Sequence, residues 1–171
     1  MYPLSIPGTS FPKLQKNKTT AVRFPEKDGG GYLAGLEVFH QLHCLRLVRQ
    51  YTYKDYYTNL TAPPQAFTDP DHILRKHVDH CIDMIRQVLM CHSDVTLVTH
   101  AWVDGYDTPF PDFGTWHKCR DFDAIARYAE SAAVADVEVT KPAGQRALKE
   151  APGGHGGRGG HGEAGGHRGH S

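Results

Sequence analysis

The chain has 171 residues, of which 39% are hydrophobic and 22% charged, a composition typical of one compact globular domain. Its 19 basic and 19 acidic residues leave no formal net charge at neutral pH, which disfavours nucleic acid as a partner. No apolar run approaches the roughly 18 to 20 residues that span a bilayer, and the N-terminus lacks the regions of a signal peptide, so we expect the printed chain to be soluble.

The composition divides the chain into three parts. Residues 1–28 are rich in proline and lack hydrophobic periodicity, which predicts an extended segment lying over the domain. Residues 29–140 are expected to form the folded domain. Residues 141–171 are predicted to be a disordered tail, because the Gly/His hexads near its end offer almost no side chains for a core. These histidines can be loose metal scavengers or part of a plain spacer.

The first predicted helix runs from Leu33 to about Tyr53. Apolar residues recur around almost its whole circumference, which is typical of a mostly buried helix. They are Leu36, Phe39, Leu42, Leu45, Leu47 and Val48.

The second predicted helix begins at Asp69 and Pro70, which offer an N-cap and a first-turn proline, and runs to about Met90. Its predicted inward stripe follows steps of three and four residues and contains both apolar residues and histidines. The stripe comprises Ile73, Leu74, His77, His80, Cys81, Met84, Ile85 and Val88.

β-Branched and aromatic residues at 95–103 predict an extended, strand-like segment. A third, shorter helix is expected over about Asp121 to Ala133. The predicted fold is therefore mainly α, with a central antiparallel helical hairpin, the shorter helix and the strand-like segment.

Both long helices carry the pentad H-x-x-H-C, as His40 to Cys44 and His77 to Cys81. Residues three apart lie on one helix face, so each pentad directs two imidazoles to the same side. An antiparallel hairpin turning near Pro63 places 40 beside 80 and 43 beside 77, so that four imidazoles face one another. Imidazoles without a carboxylate favour copper or zinc, and burying four unpaired rings without a metal is costly. We predict metal binding by His40, His43, His77 and His80.

His117, which lies just before the third helix, is the candidate for an additional ligand or an acid/base residue; its alternative is an ordinary surface histidine. A zinc hydrolase is a rival interpretation, but neither pentad contains the glutamate of H-E-x-x-H.

The cysteines, which include Cys44 and Cys81 of the pentads, are candidate ligands, free thiols or disulfides. Two sequons, at Asn17 and Asn59, are candidate glycosylation sites and favour a secretory compartment, where disulfides persist. Cys81 and Cys91 are too far apart on one helix to pair. Two pairings remain, Cys44–Cys81 with Cys91–Cys119 or Cys44–Cys91 with Cys81–Cys119, and we favour the first.

The chain resembles the fungal UstYa-type oxidases, which are marked by two H-x-x-H-C motifs. The resemblance covers residues 30–45, 77–91 and 117–122, and so most of the folded part. It implies copper-dependent oxidation in fungal secondary metabolism, such as cross-linking or macrocyclisation of ribosomally made peptides, and in some members hydroxylation or halogenation of C–H bonds. It also implies a native protein that is anchored in a membrane and lies in the secretory lumen, and we expect no such anchor within these 171 residues.

We therefore expect a copper-dependent oxidase that holds one or two copper ions and acts on a peptide or small-metabolite substrate. The alternatives are a hydroxylase or halogenase of a non-peptide metabolite, and a non-catalytic metal-binding partner subunit. The protein is also a candidate for a homo-oligomer, or for a hetero-oligomer with a related oxidase, under each of these functions.

Overall fold

The structure is a computed structural model and describes residues 2–134, 139–142 and 144–149. The described part contains four helices and two small antiparallel sheets, so the mainly α prediction is confirmed. The Gly/His hexads of the predicted tail lie outside the described residues. Residues 144–149 of the tail lie beside the N-terminal segment, and the Gln145 amide donates a hydrogen bond to the Thr19 carbonyl.

The N-terminal segment contains a strand, β1 (Leu4–Ile6), that pairs antiparallel with β2 (Tyr32–Ala34). The first predicted helix was therefore placed too early, because Leu33 belongs to a strand. Gly31 turns the chain into this pair with φ +85, and a Cβ there would collide with the Ser5 hydroxyl and lie 3.0 Å from the Ile6 carbonyl oxygen. The left-handed φ and the close Ile6 carbonyl together favour glycine.

Helix α1 (Glu37–Tyr51) follows β2, and a short helix, α2 (Lys54–Thr58), continues from its end. The prediction of a mostly buried helix is wrong, since Leu42 is 45% and Leu45 is 55% exposed. The apolar residues of α1 surround the helix, but Leu42 and Leu45 lie on a side that faces solvent.

Helix α3 (Asp71–His92) is the longest element and packs along α1. It begins at Asp71 with Pro70 in the N-cap position, so Asp69 is not the cap that the sequence predicts. The core between the two helices consists of Cys44, Leu47, Phe67, Leu74, Val78 and Cys81. Each of these side chains is almost completely removed from water, which makes this layer the main apolar stabilisation of the fold.

The connection after α3 contains β3 (Thr99–Ala101) and β4 (Phe110–Asp112), which pair antiparallel. The strand is shorter than the predicted segment 95–103, because Asp94 accepts hydrogen bonds from the Thr96 amide and hydroxyl and so forms a turn there. Many apolar side chains of this connection are exposed, including Trp102 and Trp116.

Helix α4 (Phe122–Ser131) is capped by the Asp121 side chain, which accepts from the Ala124 amide at 2.8 Å. It ends where Ala133 bridges to Leu4 and the Val134 amide donates to the Pro3 carbonyl. None of the helices in the described ranges is both long enough and apolar enough for a membrane span.

Candidate metal centre

The two pentads lie opposite each other where α1 and α3 pack. Their cysteines, Cys44 and Cys81, are fully buried in the core, whereas the histidines lie at the edge of the same seam. The His40, His77 and His80 residues are partly buried, and His43 is exposed. The seam therefore presents nitrogen donors towards solvent above a layer of buried thiols.

The four imidazoles form two pairs across the seam. The ring centroids of His40 and His80 are 5.8 Å apart, and those of His43 and His77 are also 5.8 Å apart. The crossed order of the residue numbers shows that α1 and α3 run antiparallel. With nitrogen–metal bonds of about 2.0 to 2.1 Å, two rings on one ion have centres roughly 6 Å apart. Each pair thus matches the spacing of two imidazole ligands.

The His40 ring is oriented from both ends. Its Nδ1 lies 3.1 Å from a Glu37 carboxylate oxygen, and its Nε2 lies 3.7 Å from the Cys44 Sγ. A carboxylate that accepts from one ring N–H fixes the tautomer and leaves the other nitrogen as a donor to a metal. The Nε2 of His40 therefore faces the seam in the form that a metal ion requires.

His77 is held in a setting that favours neutral imidazole. Burial lowers the pKa of His77 below its usual 6.5, and the neighbouring His43 and His80 lower it further. Asp69 acts in the opposite direction and is a smaller influence. A neutral ring is the form that binds metal, so the site needs little proton release at neutral pH.

The four rings do not converge on one point. Among the described residues, no group of three or more His, Cys, Asp or Glu side chains is close enough to hold a metal ion. The expectation that all four imidazoles face one another is therefore replaced by two separate pairs. The reason is the helix rise, because residues three apart are displaced along the axis as well as aligned on one face.

His117 lies in the connection between β4 and α4, and its Nδ1 is 2.8 Å from an Asp94 carboxylate oxygen. Hydrogen bonds from Thr96, together with His117, lower the pKa of Asp94 to about 2. Asp94 is therefore a permanent anion that holds the Nδ1–H of His117 and leaves Nε2 as an acceptor. Both side chains are largely open to solvent.

The structure gives all four cysteines as free thiols, with Cys44 and Cys81 buried and Cys91 and Cys119 exposed. Neither predicted disulfide is formed in it, and both pairings stay predictions for the oxidised protein. The pKa of Cys81 is raised to about 12, mainly by burial and to a lesser extent by the hydrogen bond with Cys44. Cys81 is thus a neutral thiol in contact with Cys44, and a neutral thiol is a poor nucleophile.

Both sequon asparagines are exposed. Asn17 accepts from the Thr19 amide and hydroxyl at 2.9 Å, while the Asn59 amide donates to the Asp55 carbonyl at 2.8 Å. Both side chains are accessible to a modifying enzyme, and glycosylation stays a prediction.

Two site residues were missed from the sequence, and only one of them had a signal. Glu37 stands three residues before His40, the spacing that brings a carboxylate against a helical histidine. Asp94 had none, because its partner His117 is distant in the chain and only the fold brings them together. Carboxylates that orient a metal ligand can therefore be predicted from the sequence when they lie one helical turn from that ligand.

The chain matches a protein-family model and several named proteins. The family model described as mycotoxin biosynthesis protein UstYa matches residues 1–132. The UstYa family oxidase phomYc of Diaporthe leptostromiformis is 42% identical over 75% of this chain and 52% of its own length. Oxidase ustYa of Aspergillus flavus is 39% identical over 57% of this chain and 40% of its own length.

One relative carries a different kind of name. Transacylase cctO of Talaromyces islandicus is 38% identical over 60% of this chain and 36% of its own length. The chain thus spans about half or less of the length of these relatives. No solved structure matches it.

Proposed function

The chain belongs to the UstYa family, and from this membership we propose that it is a copper-dependent oxidase of fungal secondary metabolism. The observation that carries the proposal is the pairing of the repeated pentads, His40 with His80 and His43 with His77. Several relatives are named oxidases, which supports the same reaction class. The electron acceptor is molecular oxygen, and the substrate is a peptide or a small metabolite.

The paired imidazoles suit copper better than the alternatives. Copper stands at the top of the divalent affinity order, and an all-nitrogen set without a carboxylate ligand disfavours magnesium or manganese. His40, His43, His77 and His80 would hold one or two ions, and two imidazoles per ion leave positions open for oxygen and substrate. Bound copper would supply the one-electron chemistry that amino-acid side chains lack.

The protein's own part is to hold the rings and to move protons. Glu37 keeps the His40 Nδ1 occupied, so that Nε2, which contacts the Cys44 Sγ, is the nitrogen that would bind the metal. His117, fixed by Asp94 through Nδ1, can accept a proton at Nε2 from a phenol O–H. Because Asp94 stays ionised, it also stabilises the charged imidazolium that results.

The reaction we favour is oxidative cross-linking or macrocyclisation of a ribosomally made peptide. Joining a phenol oxygen to a carbon breaks one O–H and one C–H bond, forms one C–O bond and releases two protons and two electrons. Molecular oxygen takes up the two protons and the two electrons and is released as hydrogen peroxide. Hydroxylation, by contrast, places an oxygen atom in the product, and halogenation requires a halide.

Copper binding is tested by equilibrium dialysis of the protein against copper and zinc, with residues 151–171 removed so that the tail histidines do not contribute. We expect preferential retention of copper, and loss of it when His43 and His80, one ring from each pair, are both replaced by alanine. The control is His72→Ala, at the exposed start of α3. If the double variant retains as much copper as the unaltered protein, the proposed copper site is contradicted.

Oxidase activity is tested by following oxygen uptake, peroxide and product mass with a candidate peptide. Cross-linking lowers the product mass by two hydrogens and yields peroxide, whereas hydroxylation raises the mass by one oxygen. The transacylase name of one relative makes oxygen the discriminating reagent, because acyl transfer consumes none. Copper-loaded protein that consumes no oxygen with any substrate of its pathway favours the non-catalytic partner subunit.

A further inference from the structure

A cavity lies beside the His40–His80 pair. It has a volume of about 910 Å³ and is bounded by the start of α1, the end of α3 and the segment that leads into α4. This volume lies in the upper part of the range of about 300 to 1,000 Å³ for ligand sites. Glu37, which holds the His40 ring, lines the cavity, so the cavity and the candidate metal centre share a wall residue.

One side of the cavity is apolar. Leu36 and Val38 contribute from the start of α1, and Phe122, Ile125 and Tyr128 contribute from α4. The Phe122 ring also packs against Phe39 of α1, with ring centroids 6.2 Å apart. This contact holds the apolar side of the cavity against the helix that carries His40. A wall of this kind suits an aliphatic or aromatic group.

The other side carries two basic side chains that form no ion pair with any residue the structure describes. Lys118 and Arg120 line the cavity, and within the residues described neither side chain has an ion-pair partner. Neither Glu37 nor Asp121 forms an ion pair with them, since Glu37 is bonded to His40 and Asp121 caps α4. Two unpaired cations in a concave site attract an anion from solution.

We propose that this cavity is the substrate subsite, and that it recognises a carboxylate attached to an apolar or aromatic group. Lys118 and Arg120 bind the carboxylate while Phe122, Ile125 and Tyr128 contact the neighbouring side chain. For a peptide substrate this is an acidic residue or the C-terminus next to an apolar residue. The inference rests on the proposed function only in placing a substrate beside the metal centre.

The proposal is tested with hydrocinnamate, a phenyl ring joined to a carboxylate, and with its uncharged amide. Titration calorimetry on the metal-free full-length chain at low ionic strength measures both affinities. We expect the acid to bind at least about tenfold more tightly than the amide, and the difference to shrink as salt screens the open cavity. Equal affinity of the two compounds overturns the proposal.

Three variants locate the binding. Removing both charges, with Lys118→Gln and Arg120→Gln, is expected to weaken acid binding at least about tenfold and to leave amide binding unchanged. Arg49→Gln, at the exposed end of α1, controls for general loss of a positive charge. Phe122→Ala is expected to weaken both compounds alike. Acid binding that survives the double charge removal overturns the assignment.

The metal-free design separates this inference from the copper proposal. If hydrocinnamate binds as expected but dialysis finds no copper site, the cavity stands and the proposed function fails. If copper binds and oxygen is consumed while acid and amide bind equally, the proposed function stands and the substrate class is wrong. Circular dichroism of every variant confirms that the helices are intact.

Discussion

Glu37 lies one helical turn before His40, and its carboxylate holds the ring nitrogen that faces away from Cys44. A ligand on a helix keeps several ring rotations unless a second group selects one of them. Here the selection comes from a residue of the same helix, so the His40 geometry needs only that α1 is formed. The orientation of the His40 ring therefore depends on α1 alone, whereas its pairing with His80 also requires α3.

Replacing Glu37 by glutamine tests this role. Glutamine keeps the size but loses the charge, so we expect copper affinity at the His40–His80 pair to fall about tenfold to a hundredfold. Competition with a copper chelator measures the affinity. Glu130→Gln on the exposed surface of α4 is the matched control. Equal copper affinity in the two variants contradicts a positioning role for Glu37.

The lowered pKa of His77 gives the metal-free protein a pH dependence. The unfolded chain takes up a proton near pH 6.5, whereas folded His77 does so only at lower pH. The unfolded state therefore binds more protons over the window from 6.5 downwards, and stability is lost as the pH falls through it. Urea unfolding at pH 7.5 and 5.5 is expected to show a smaller free energy of unfolding at pH 5.5.

The control for this dependence is His77→Gln, which cannot take up the proton. Its loss of stability between pH 7.5 and 5.5 is expected to be smaller than that of the unaltered protein. An identical loss in both proteins assigns the dependence to other groups.

At the scale of elements, the α1–α3 pair concentrates the apolar stabilisation in a narrow layer. Leu47 and Leu45 show this most directly, because they lie two residues apart on one helix. Leu47 is 2% exposed and belongs to the core, while Leu45 is 55% exposed.

Leu47→Ala is expected to lower the free energy of unfolding by about 2 to 5 kcal/mol, because it removes buried methyl groups and leaves a cavity. Leu45→Ala is expected to change it by less than about 0.5 kcal/mol. Chemical denaturation of both variants measures the difference. Similar values for the two contradict the helix packing described here.

The helices and the histidine pairs could largely be predicted from the sequence. Hydrophobic periodicity located α1, α3 and α4, and the sum of residue numbers in an antiparallel pair gave the partners His40–His80 and His43–His77. The β1–β2 sheet could not be predicted, because Leu4 and Ala34 pair through backbone groups that are far apart in the chain. The exposure of Leu42 could not be predicted either, because a helix that is apolar all round does not reveal which of its faces packs against another element.

At the scale of the whole molecule, two contacts bring the end of α3 towards the segment before α4. His117 is bonded to Asp94, and His92 and Cys119 line the same cavity. Cys91 and Cys119 therefore belong to neighbouring segments, although both thiols are free in the structure.

We predict that protein from an oxidising secretory compartment carries a Cys91–Cys119 disulfide. Closing a loop of about 27 residues is worth on the order of 3 to 4 kcal/mol in the chain-entropy model. Mass spectrometry of a non-reduced digest detects the linked peptides, and Cys91→Ser gives the loss of stability. Four titratable thiols in the non-reduced, denatured protein contradict the prediction.

The bridge between Leu4 and Ala133, with the hydrogen bond from Val134 to Pro3, joins positions separated by most of the described chain. The His40–His80 contact spans a far shorter loop. Since closure entropy grows with the logarithm of loop length, the longer closure costs roughly 1 kcal/mol more. We therefore expect the helix pair to form before the terminal bridge closes. Amide protons of β1 are then expected to exchange with deuterium through local opening, long before those in the middle of α3.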